Sequence, residues 1–129
     1  MPHVSRRRLP KKTLEKILDS LILVFSRTGK KKEMAELMDA LLSETERLML
    51  AKRIAVIFLL SEGVKEGSIA DALNVTPFTV SRLKLWYETK GFGYRVAIKE
   101  LKKQKDIEFL KDLALKLTAS FIKSARFVT

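Results

Sequence analysis

Residues 68–88 read SIADALNVTPFTVSRLKLWYE. A short helical pattern runs into Asn74, and a second begins at Thr76-Pro77 with the bulky Phe78 in its exposed first turn. Two helices that cross steeply over a tight turn demand particular residue types. The crossing needs a small residue on the first helix, and Ala70 supplies it. The turn needs a residue that tolerates the left-handed backbone, and Asn74, four positions on, is suited to it after glycine. Apolar residues must bracket both, and Ile69, Leu73, Val75, Val80 and Leu83 fall where they are required. Ser68 is the expected cap of the first helix, with Asp71 favouring its positive end. Thr76 is the expected cap of the second, and Pro77 fits its first position because no amide donor is needed there. Residues 66–89 therefore read as a helix-turn-helix.

Outward from this stretch the pattern stays helical. Leu14, Ile17, Leu18, Leu21, Ile22 and Phe25 recur at helical spacing from Thr13 to Ser26, and Gly29 is a stop signal. Lys30–Lys32 opens a second helix with Met34, Leu37, Met38, Leu41 and Leu42 on its apolar face. Ser43-Glu44-Thr45-Glu46 forms a capping box, predicting a third helix that ends near Gly63. Its half IAVIFLL (54–60) is apolar on every side, as in a helix buried all round. In a chain of 129 residues such burial calls for a second subunit, so a homodimer is expected. A sixth helix follows the break KGFG (90–93). Asp106 is a candidate cap for a seventh, whose Ile107, Leu110, Ala114, Leu117 and Phe121 form a short apolar seam. No strand alternation appears. The fold class is all-α with six to seven helices: a basic arm over 1–12, a helical domain over 13–105, and a C-terminal helix over 106–129 expected to pack on the dimer core.

Composition narrows the function. Apolar residues at 47% and charged residues at 32% describe a folded globular chain. There is no cysteine, which excludes disulfides and thiolate metal sites and suits a reducing cytoplasm. His3 is the only histidine and lies in the N-terminal arm, so neither a metal nor a histidine-centred active site is expected. Glu44 and Glu46 are explained by capping, and no nucleophile sits near a base in a recognisable motif, which argues against an enzyme. The longest apolar run is too short to span a membrane. Arg6-Arg7-Arg8 is followed by no apolar region, so no export signal is read there. A bacterial cytoplasm, with the protein on the nucleoid, is the expected setting.

The net charge is +11 and unevenly spread, with ten Lys/Arg against two acids over residues 1–32 and equal numbers over 66–90. Such a balance points to a polyanionic partner, most simply nucleic acid and with the helix-turn-helix double-stranded DNA, although excess charge also serves solubility alone. In a helix-turn-helix the second helix enters the major groove by its N-terminal end. The outward residues Thr76, Pro77, Phe78, Thr79, Ser81, Arg82 and Lys84 are the candidate DNA contacts. Pro77 and Phe78 suit thymine methyls, Thr79 and Ser81 suit bases or phosphates, Arg82 suits guanine or phosphate, and Lys84 suits a phosphate. Phe78 has a second role open to it, folding back under the preceding helix, and Arg82 and Lys84 are also compatible with a solvated face.

The segment LLSETERLMLAKRIAVIFLLSEG (41–63), with IADALNVTPFTVSRLK (69–84), resembles the Trp-repressor superfamily. It is more similar to the short Trp-repressor-like proteins of the YerC/YecD type than to the operon repressor. The resemblance covers about residues 30–105. It implies an interlaced homodimer whose two heads insert into successive major grooves of a near-palindromic operator. The operon repressor clamps free tryptophan between two arginines, to which Arg53 and Arg82 correspond. Here Leu83 and Trp86 stand where that pocket is lined by small residues. The resemblance with these replacements implies a filled pocket and no tryptophan corepressor or other cofactor. Two roles are open to Trp86: ordinary core packing, or an indole standing where the corepressor would sit.

The expected function is that of a sequence-specific DNA-binding transcriptional regulator, a repressor in type. The alternatives are a helical protein-interaction module on the same fold and a non-specific basic nucleic-acid-binding protein.

Overall fold

The computed structural model describes residues 8–103 and 108–127, with side chains up to Leu117. Every regular element among the described residues is α-helical: α1 (Lys11–Arg27), α2 (Lys31–Leu41), α3 (Glu44–Ser61), α4 (Glu66–Leu73), α5 (Pro77–Thr89), α6 (Phe92–Lys103) and α7 (Glu108–Phe127). The chain divides into two compact units, Met1–Arg47 and Leu48–Thr129. The expected caps and seam residues Asp106 and Ile107, the side chain of Phe121, and residues 1–7 of the basic arm lie outside the described residues.

In the first unit, α1 begins at Lys11, two residues before the expected start, behind the extended Pro10. Neither α1 nor α2 has a buried residue, and the apolar stripe of α1 stays largely open, with Ile22 64% exposed. The capping box at the start of α3 forms as its sequence requires. The Glu46 amide donates to Ser43 Oγ at 3.1 Å, and the Ser43 amide donates to Glu46 Oε1 at 2.9 Å. The Ser43 amide and hydroxyl hold the Glu46 carboxyl below its ordinary range, so this contribution to stability is present above that range and disappears as pH falls through the lowered value. Arg47 closes the unit with a 2.6 Å ion pair to Asp39.

The second unit is built around Val56, Ile57, Phe58 and Leu59 of α3, four successive residues that are all buried. Ile69 and Ala70 of α4, Val80 and Leu83 of α5, Ile98 of α6 and Ala114 of α7 complete the cluster. Each large side chain so enclosed contributes about 1.5–3 kcal/mol relative to exposure. Within the stretch 54–60 expected to be buried all round, Val56 to Leu59 are buried by helices of the same chain, while Ile54 stays 38% exposed, as do Leu48 and Met49 before it on the same helix at 54% and 44%.

One expectation changes. Ser68 is not the cap of α4, since that helix starts at Glu66 behind the extended Lys65. The physical cause is Gly63, whose φ of +81° ends the preceding turn early, and Glu66 takes the place at the positive helix end. Of the α7 seam, Ala114 joins the core of this unit, with Leu110, Leu113 and Leu117 against it, and α7 packs on α4. Gly91 separates α5 from α6 under a different constraint: a Cβ there would strike the Tyr87 carbonyl.

The turn between α4 and α5 takes the conformation that the sequence predicts. Asn74 is left-handed (φ 52°, ψ 54°), and the Val75 amide donates to Ala70 O at 3.0 Å. Replacing Asn74 with Gly should leave thermal stability nearly unchanged. Asn74→Val should cost about 1–2 kcal/mol by denaturant unfolding, because a β-branched side chain collides with its own backbone there.

Candidate nucleic-acid interface

The face that α5 offers to solvent is set by what its other face buries. Val80 and Leu83 are locked in the core, one turn apart, so Phe78, Ser81, Arg82 and Leu85 point outward. Ala70, at 4% exposure, is the close-packed small residue where α4 meets α5. The cap is formed by Thr76, whose Oγ1 accepts from the Thr79 amide at 3.1 Å. The two threonine hydroxyls also hydrogen-bond each other at 2.9 Å. Thr76 and Thr79 are therefore engaged in holding the helix start, and only their remaining lone pairs and donors face outward.

Phe78 does not fold back under α4. It is 72% exposed at the tip of α5, beside the exposed Pro77. Its ring lies 5.7 Å from the guanidinium carbon of Arg82, which lies 5.0 Å from the ring of Trp86 on the other side. Lys84 reaches Glu66 at 3.9 Å, with both side chains substantially exposed, so this ion pair is weak and easily exchanged.

Arg53 and Arg82 come together, as the resemblance implied, on the wall of one cavity of about 300 Å³. Met49, Lys52, Thr79 and Leu83 share that wall. The cavity is open, contrary to the expected filling. Leu83 turns its side chain into the core, leaving 2% exposed, and so does not occupy the space. Trp86 is not among its walls; it lines a separate cavity of about 470 Å³ with Ile54, Lys90 and Tyr94. The indole therefore does not stand in the two-arginine cavity.

Sequence reasoning missed Lys52. Its ammonium donates to the carbonyl of Asn74 at 3.2 Å, tying the middle of α3 to the turn before the outward helix. The two residues are far apart in the chain, and no local signal joins them. The Phe78–Arg82–Trp86 row did have a signal, the i, i+4, i+8 spacing that stacks side chains on one helix face.

The geometry is that of two helices crossing over a left-handed turn, the second presenting a polar and aromatic tip with one arginine at its centre. Residues 16–102 match the family model described as Trp repressor protein. No curated protein and no solved structure matches the chain. With two thirds of its length inside that match, the whole of the helix-turn-helix included, the chain belongs to the Trp repressor family of DNA-binding helix-turn-helix regulators.

Proposed function

We propose that this protein is a sequence-specific transcriptional regulator, a repressor, that binds double-stranded DNA as a homodimer and reads the major groove with α5. The observation that carries the reading is the exposed tip of α5, where Phe78, Ser81 and Arg82 project from a helix whose inner face is locked by Val80 and Leu83. Apolar groups there suit thymine methyls, and an arginine suits guanine. The homodimer is supported by the uncovered apolar stripe of α1 in the first unit and, separately, by the exposed Leu48, Met49 and Ile54 of α3 in the second. The basic segments outside the neutral head supply attraction to phosphates. Such a reader works in the compartment that holds the chromosome, the bacterial cytoplasm.

In this reading the regulator needs no tryptophan corepressor. The guanidinium of Arg82 lies against Phe78 and Trp86 on its own helix, so one of the two arginines already has partners.

Selection of bound sequences from a random duplex pool should enrich a two-fold symmetric site. Ser81→Ala or Arg82→Ala should cost about 1–3 kcal/mol on that site, and the loss should be confined to particular base pairs. Salt-sensitive binding with no enriched site would instead mark a non-specific DNA-coating protein, and no binding at all would favour an interaction module.

Glu66→Gln should raise affinity for unrelated duplex by roughly two- to fivefold at low salt, since it releases Lys84 for phosphate contact. Fluorescence anisotropy across a salt series measures this, and the gain should shrink as salt rises. Added free tryptophan should change operator affinity less than about twofold; a gain of roughly tenfold or more would show that the open cavity takes it and that corepressor control is retained.

A further inference from the structure

We propose that Phe78 and Trp86 are positioning residues that hold the Arg82 guanidinium ready to read a guanine. The proposal rests on the reading of α5 as the major-groove helix and deepens it. The three residues stand four apart on one stripe of α5, with the guanidinium carbon 5.7 Å and 5.0 Å from the two ring centroids. Both distances lie within the range where a cation is attracted to a ring face. None of the four ion pairs among the described residues involves Arg82, and its guanidinium lies against the two rings.

A free arginine side chain loses much of its rotamer freedom when it docks on a base. A guanidinium already held between two rings has lost part of that freedom in the unbound protein. Contact with a ring face also consumes none of the guanidinium's N–H donors, so they remain for guanine O6 and N7. This accounts for an aromatic ring left 72% exposed at the helix tip. Phe78 works there chiefly by steadying its neighbour one turn on. Trp86, half-buried and packed against the core, is the anchored end of the row.

The test uses the full chain with Phe78→Leu, Trp86→Leu, Trp86→Phe and Arg82→Ala. Trp86 is the sole tryptophan, so its fluorescence without DNA reads the contact directly. Arg82→Ala should alter its emission, and identical emission in the two proteins would overturn the proposal. On the selected site, Arg82→Ala should abolish the guanine preference at one position per half-site. Phe78→Leu and Trp86→Leu should each weaken that same preference roughly two- to fivefold, with an unchanged salt slope, and Trp86→Phe should keep most of it. If the leucine variants keep the full preference, or lose affinity evenly at every position as a merely loosened fold would, the positioning role is wrong. In that case the wild-type chain still selects its site. If the wild type itself selects none, the reading of α5 falls and the positioning role with it.

Discussion

Asn74 holds the chain in a left-handed turn between α4 and α5, and everything that α5 presents takes its bearing from that single residue. The turn is over-determined. Val75 donates its amide to Ala70, Thr76 caps the helix that follows, and Lys52 reaches across from α3 to the Asn74 carbonyl. Ala70 lets α4 lie close, and Ile69, Val80 and Leu83 seal the crossing against Val56 to Leu59. Because packed interiors resist deformation, the orientation of the outward helix is inherited from this core and not from its own surface residues.

That arrangement separates attraction from reading. The head is neutral over residues 66–90, while the excess positive charge lies in the segments before and after it. Charge acts over about 10 Å at moderate ionic strength, so it governs encounter and general affinity. Discrimination needs few groups held still. On α5 those groups are partly held by each other: Thr76 by Thr79, Arg82 by its aromatic neighbours, Lys84 loosely by Glu66.

The α7 helix lies beyond the stretch that matches the family, yet Ala114 enters the same core as the helix-turn-helix. This helix packs on α4, the first helix of the motif. In the first unit α1 and α2 are amphipathic and have no buried residue, and in the second unit Leu48, Met49 and Ile54 of α3 are uncovered.

The sequence by itself determined the local structure. Ser43 with Glu46, Thr76 with Pro77, and Asn74 after Ala70 are chemical instructions that act within a few residues, and each formed the cap or turn it specifies. Periodicity likewise placed the inward residues Ile69, Val80 and Leu83. Tertiary structure decided what depends on distant partners. The burial of Val56 to Leu59 came from helices of the same chain, α7 packed on α4, and the two-arginine cavity stayed open. A side-chain pattern states that a face will be buried, but it does not name the surface that covers it, because hydrophobic attraction is non-directional and shape complementarity alone selects the partner.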